Sequence, residues 1–189
     1  ALENNKNYSN IDGIGYKDKS GIHIKKKEKF IENLDELPFP ARDLLNINQY
    51  FKAGLAHGFA LKNKRNINLI TSRGCPGGCI FCTVHLLWGR KFRARSAENV
   101  LDELEQIKRD FGARHVQFED DNLTYDIERA KKIFQGMVDK NLKLKWTTPN
   151  GVALWRMDKE TLILMKKAGC YYVKFVIESG NQRVLSEVI

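Results

Sequence analysis

Three cysteines, Cys75, Cys79 and Cys82, fall within eight residues of the run Ser72-Arg73-Gly74-Cys75-Pro76-Gly77-Gly78-Cys79-Ile80-Phe81-Cys82. Crowded thiols in a chain with no secretion signal read as ligands of a metal or cluster rather than as a disulfide framework. Gly74, Gly77 and Gly78 let the backbone curl around a bulky centre, and thiolates are the usual ligands of iron–sulfur clusters. The C-x3-C-x2-C spacing supplies three protein thiols, so a four-iron cluster here keeps one iron open to an exogenous ligand. A zinc site would need His85 or His57 as fourth ligand and would pair its cysteines as C-x2-C twice, which this spacing does not do. Cys170 lies outside the motif and reads as a buried core thiol.

Two polar clusters accompany the cysteines. Glu119-Asp120-Asp121 follows the apolar run His115-Val116-Gln117-Phe118, and Glu178-Ser179 follows the run from Tyr171 to Ile177. In parallel α/β folds ligand chemistry gathers at the carboxyl ends of the strands, where all three clusters would fall together. Acidic residues at that position are also common helix caps, and that reading of Asp120 and Asp121 stays open.

The elements that must position these groups are legible from Ile67 onward. Ile67–Thr71 reads as a strand entering the cysteine loop. Ser96 is an N-cap for a helix carrying Val100, Leu104, Ile107 and Phe111, which Gly112 can end. His115–Phe118 is a second strand, and a helix with Ile127, Ala130, Ile133 and Met137 follows. Leu142, Leu144 and Trp146 alternate as a third strand, broken by Pro149-Asn150-Gly151. Leu162, Met165 and Lys166 sit on a third helix ending at Gly169, and Tyr171–Ile177 is a fourth strand. Strands alternating with helices predict βαβ units and a parallel sheet. Upstream, Ile14–Lys17 and Ile22–Lys25 alternate about the turn residues Asp18-Lys19-Ser20-Gly21 and predict a β-hairpin. Pro38 and Pro40 make residues 34–45 a stiff connector. Residues 46–65 give weak signals.

Composition bounds the rest. The 189 residues are 42% hydrophobic and 29% charged, which excludes a disordered or collagenous chain. No apolar run approaches the roughly 18 residues of a membrane span, and no signal peptide is visible, so the expected compartment is the cytoplasm. Net charge is +9, split between Lys25, Lys26, Lys27 and Lys29 and a second group at Arg90, Lys91, Arg93 and Arg95. No aromatics interleave with the lysines as a single-strand nucleic-acid platform requires, so a solvated strand edge is the expectation there.

The motif C-x3-C-x-Phe-Cys after the first strand of an α/β chain resembles the radical S-adenosylmethionine (radical SAM) superfamily, with Phe81 as the aromatic before the last ligand. Leu37-Pro38-Phe39-Pro40-Ala41-Arg42-Asp43-Leu44-Leu45, Thr71–Pro76, Arg93-Ala94-Arg95-Ser96, Phe118–Asn122 and Ile177–Gly180 resemble its branch with an N-terminal cobalamin-binding domain. The resemblance implies an α/β fold, a partial parallel TIM-like barrel of about four strands and three to four helices, preceded by the hairpin and linker. Residues 1–45 would join an absent cobalamin domain to a core at 46–189 that stops short of the full barrel, as an internal fragment would.

The resemblance further implies that Cys75, Cys79 and Cys82 ligate a [4Fe–4S] cluster whose open iron chelates S-adenosylmethionine. An electron from the cluster then cleaves the sulfonium to give a 5′-deoxyadenosyl radical. Glu119, Asp120 or Asp121 would meet the methionine amine, which suits a carboxylate, and Glu178 and Ser179 the ribose or methionine moiety. Cobalamin would bind in the parent protein and not to this chain. The reaction implied is a cobalamin-dependent methylation or cyclisation of a small-molecule or natural-product substrate, with flavodoxin or ferredoxin as electron donor and no nucleic-acid partner. A non-catalytic iron–sulfur electron carrier is the competing class, and it would saturate its cluster with four thiolates.

Overall fold

A computed structural model describes residues 8–54, 57–58 and 61–188, so the first seven residues of the expected linker unit lie outside the described residues. The chain divides into two compact units, residues 1–32 and 33–189. In the first, β1 (Gly15–Asp18) pairs antiparallel with β2 (Gly21–Ile24). The turn forms because Asp18 Oδ1 accepts from Ser20 N at 2.8 Å and from Ser20 Oγ at 2.6 Å, while Gly21 takes φ +130°. The expected hairpin is therefore present, and its lysines are exposed.

The second unit opens with the proline connector. Its Leu34 is buried, and two single turns of 3-10 helix, Leu34–Glu36 and Arg42–Leu44, interrupt it. Next comes α1 (Ile47–Ala53), capped by Asn46 and closed by Gly54 in the left-handed region. The sequence reading was silent here, although Asn before and Gly after a short apolar stretch are both terminus signals.

The core is a parallel sheet of β3 (Asn66–Leu69), β6 (His115–Phe118), β7 (Lys145–Val152) and β8 (Cys170–Phe175), ordered β3-β6-β7-β8. Between β3 and β6 lie β4 (Ser72–Arg73), α2 (Val84–Trp88), β5 (Arg93–Ala94) and α3 (Ala97–Phe111). The helices α4 (Ile127–Asp139) and α5 (Lys159–Lys167) cross from β6 to β7 and from β7 to β8, and α6 (Gln182–Val188) follows. Strand order follows chain order without reversal, which is the winding of a barrel wall rather than of a doubly wound sheet.

Helix positions follow the caps and the apolar periodicity. Ser96 Oγ accepts from Asn99 N at 3.1 Å, Gly112 ends α3 at φ +62°, and Asp126 and Asp158 cap α4 and α5. Val100, Leu104, Ile107, Ile133, Phe134 and Met137 then face the outer side of the sheet. There the Trp146 ring stacks on Phe134 at 5.0 Å, meets Phe118 edge-on at 5.3 Å, and donates its Nε1–H to Ala168 O.

Three expected boundaries are corrected. The first strand ends at Leu69, because the chain leaves the β3–β6 pairing before Thr71. The third strand begins only at Lys145, since Asn141 and Lys143 take positive φ, and it runs through Pro149-Asn150-Gly151 instead of breaking there. An irregularity in the β7–β8 register between Thr148 and Val152 absorbs the proline, and Gly151 at φ +92° supplies the bend. The fourth strand stops at Phe175, two residues early.

Candidate functional site

The cysteine loop leaves the carboxyl end of β3 and is cinched at its base. Strands β4 and β5 pair antiparallel, Ser72 opposite Ala94 and Arg73 opposite Arg93, so the chain from 74 to 92 closes on itself. Gly74 sits at φ +83°, and a Cβ there would lie 2.3 Å from the Lys91 carbonyl oxygen, so only glycine fits. Arg90 Nη1 donates to Gly77 O at 2.9 Å, Arg93 Nη2 donates to Trp88 O at 2.5 Å, and Arg73 lies over the Trp88 ring. Arg93 and Arg95 are buried. Arg93 and Arg95 of the second basic group are thus buried within the loop's scaffold, while Arg90 and Lys91 are exposed, a division that charge alone could not reveal.

Cys75, Cys79 and Cys82 are half-buried free thiols on this one loop. A side chain at Gly77 would come within 3.4 Å of Cys75 Sγ and 3.8 Å of Cys79 Sγ, so the missing side chain keeps the space beside both sulfurs clear. Burial pushes the Cys75 thiol up from its ordinary value, and Asp121, Cys79 and Cys82 add to that. Among the described residues, no three His, Cys, Asp or Glu side chains gather closely enough to hold a single metal ion. Phe81 is exposed beside Ile80. Cys170 packs against the core, with burial raising its thiol to about 12.

The three carboxylates after β6 have different surroundings. Asp120 is buried: its Oδ1 accepts from Thr71 N at 3.1 Å, Thr71 Oγ1 at 2.7 Å and Ser72 Oγ at 2.5 Å. Burial pushes its carboxyl up, while the Ser72 and Thr71 hydrogen bonds and the Arg129 charge pull against that. Asp121 is half-buried; burial raises its carboxyl and neighbouring Asp120 adds to that, while the Gly74 backbone N–H pulls against it. Glu119 turns the other way, with Oε2 2.7 Å from His57 Nδ1. Neither Asp120 nor Asp121 caps a helix: Asp126 does so for α4. Glu178 and Ser179 lie past the carboxyl end of β8. Glu178 is exposed at φ +61°, and Ser179 spends its hydrogen bonds within its own turn, on Ile177 O and Asn181 N.

The inner face of the sheet carries a polar layer that the sequence reading missed. His115 Nδ1 lies 2.7 Å from Asn66 Oδ1, and its Nε2 lies 2.9 Å from the Tyr171 hydroxyl. Asn66 Nδ2 donates to Gln117 Oε1, and the Gln117 amide makes two hydrogen bonds to the His57 backbone. A cavity of about 310 Å³ opens on this layer, lined by His57, Gln117, Thr147, Pro149, Tyr172 and Lys174 among others. Thr147 Oγ1 is buried there with no hydrogen-bond partner among the described residues. The signal was available: Asn66-x-Asn68 and His115-x-Gln117-x-Glu119 alternate polar residues along two strands, so every second side chain shares a face.

The radical SAM superfamily matches residues 69–188. The cytidylyl-2-hydroxyethylphosphonate methyltransferase of Streptomyces wedmorensis is 36% identical over 209 residues, covering 100% of this chain and 39% of the relative. An uncharacterised methyltransferase of Pyrococcus horikoshii is 31% identical, covering 98% of the chain and 38% of the relative. The chain thus spans about two fifths of the length of these relatives. Among solved structures, the radical S-adenosylmethionine methyltransferase TsrM from Kitasatospora setae, with cobalamin and a [4Fe–4S] cluster bound, superposes with a TM-score of 0.73 at 18% identity, covering 98% of this chain and 37% of that one. The cobalamin-dependent radical enzyme OxsB gives 0.72 at 23% identity, covering 99% and 27%.

Proposed function

The chain belongs to the radical SAM superfamily, whose members use a [4Fe–4S] cluster and S-adenosylmethionine, and on that premise we propose that Cys75, Cys79 and Cys82 hold the cluster for reductive cleavage of S-adenosylmethionine. One observation carries the reading: the three-thiol loop rises from the carboxyl end of β3 and is bonded at its root to the acidic carboxyl end of β6. The donor set fits the group. Three thiols sit on one loop, two of them flanking a glycine that leaves the space beside their sulfurs unfilled. When bound, a cluster with three protein thiolates supplies an iron open to the amine and carboxylate of S-adenosylmethionine and an electron for its sulfonium.

This chain's residues then orient and shield. Asp121, half-buried after β6, would pair with the methionine ammonium. Glu178 and Ser179, past the carboxyl end of β8, would meet the cosubstrate ribose or methionine moiety. Phe81, exposed on the loop, would cover the outer side of the cosubstrate. The cavity on the inner face is where a substrate would be held away from bulk water.

We place the chemistry in methyl transfer, in a protein that also binds cobalamin and takes electrons from a flavodoxin- or ferredoxin-type donor. Curated relatives that are methyltransferases, and cobalamin in both structural neighbours, support this reading. Anaerobic reconstitution with iron and sulfide should give a brown protein with about four irons per chain, and Cys79→Ala should abolish it. A colourless protein carrying one tightly bound zinc would overturn the proposal.

A further inference from the structure

We propose that Asp120 is a positioning residue that sets the geometry of the cysteine loop, rather than a ligand of S-adenosylmethionine. The inference rests on the proposal that this loop holds the cluster. It begins with the ladder between β3 and β6. Their last backbone rung is Glu119 N to Leu69 O at 2.8 Å. In a parallel pair the next rung would run from Thr71 N to Glu119 O. That rung is not made. Thr71 N instead donates to the Asp120 carboxylate, at 3.1 Å to Oδ1 and 3.2 Å to Oδ2, and Glu119 O accepts from Asn150 Nδ2 at 2.9 Å. A side chain has replaced a strand carbonyl, and this lets β3 diverge from the sheet without stranding a buried N–H.

The divergence is fixed in direction as well. Thr71 Oγ1 and Ser72 Oγ both donate to Asp120 Oδ1. On the far side, Thr71 O accepts from Arg95 N at 2.9 Å and from Arg129 Nη2 at 2.9 Å. Every polar group of Thr71 is therefore bonded, and both Thr71 and Ser72 are buried. Thr71 and Ser72, four and three residues before Cys75, are thus both held by the Asp120 carboxylate just past β6, so the approach to the first ligand is set from the neighbouring strand. The Asp120 carboxylate is buried with Oδ1 accepting from three donors, which leaves it little capacity for an ammonium.

The test uses the intact protein, reconstituted anaerobically, with variants Asp120→Asn, Thr71→Val, Thr71→Ser and Asp121→Asn. The readouts are iron content, the electron paramagnetic resonance signal of the reduced cluster before S-adenosylmethionine is added, and its shift afterwards. Asp120→Asn and Thr71→Val should lose at least half of the iron, or change the signal already in the absence of S-adenosylmethionine. Thr71→Ser, which keeps the hydroxyl, should restore both. Ile133→Val, a mild core substitution on α4, provides a destabilised control whose cluster signal stays as in the wild type. If Asp120→Asn keeps iron and signal and loses only the response to S-adenosylmethionine, Asp120 is a ligand and the inference fails. It also fails if Thr71→Val and Thr71→Ser behave alike. A wild-type protein that binds no cluster would instead overturn the functional proposal.

Discussion

At the scale of single residues, three adjacent carboxylates after β6 have three different surroundings. Asp121 is the one proposed to meet the cosubstrate. Asp121→Asn should leave about four irons in place and weaken S-adenosylmethionine binding at least five-fold by equilibrium dialysis; unchanged affinity would move that role to another group. His115 gives a pH prediction. Burial lowers its imidazole from 6.5 to about 4, and the ring is held between Asn66 and Tyr171. The unfolded chain therefore takes up this proton first as pH falls. The associated stability is fully present above about pH 6.5 and is lost between there and about pH 4, on the order of 3 kcal/mol. Urea unfolding at pH 7 and pH 4.5 measures it, and His115→Gln should flatten this part of the dependence.

At the scale of elements, the connector is tied to the first barrel helix by buried charge. Glu103 of α3 is buried between Arg42 of the connector, 2.6 Å away, and Arg95, which also donates to Ile70 O. Removing the carboxylate would leave two buried guanidiniums with no counter-charge. Glu103→Leu should therefore cost about 3–5 kcal/mol, read from denaturant midpoints, and should expose residues 37–45 to limited proteolysis. A loss below about 1 kcal/mol would mean that water compensates both guanidiniums. The motif Leu37–Leu45 resembled a family joint in the sequence. Its physical role, supplying Arg42 as one of three members of an ion triad, depends on α3, some sixty residues downstream.

At the scale of the molecule, four parallel strands with helices on one side form part of a barrel wall, with a polar inner face and an apolar outer one. Among the described residues no helix is long and apolar enough to cross a membrane. The chain covers about two fifths of its methyltransferase relatives, so the cobalamin proposal is tested on longer protein. A corrin ring needs a broad face to cover it. The longer reading frame that contains this chain should retain hydroxocobalamin after desalting, while the 189-residue chain should not. Retention by neither would remove cobalamin from the proposal and leave the cluster untouched.

The sequence by itself determined what depends on neighbours along the chain. The C-x3-C-x2-C spacing, the Ser96 cap with the Gly112 stop, the hairpin turn at Asp18–Gly21 and the strand–helix alternation are local patterns, and local geometry is enough to express them. The parallel α/β fold followed, because apolar periodicity fixes which face of each element must be buried. What only the tertiary structure decided depends on residues far apart in the chain. Asp120 and Asp121 looked alike in the sequence, but Thr71 and Ser72, about fifty residues upstream, claim one of them. Arg93 and Arg95 were only part of a basic cluster in the sequence, and Trp88, Ile70 and Glu103 close around them in the fold. Pro149 looked like a strand break until the register shift against β8 accommodated it. In each case the deciding partner is supplied by another element, and a side chain's surroundings are set by which strands and helices meet rather than by its own neighbours in sequence.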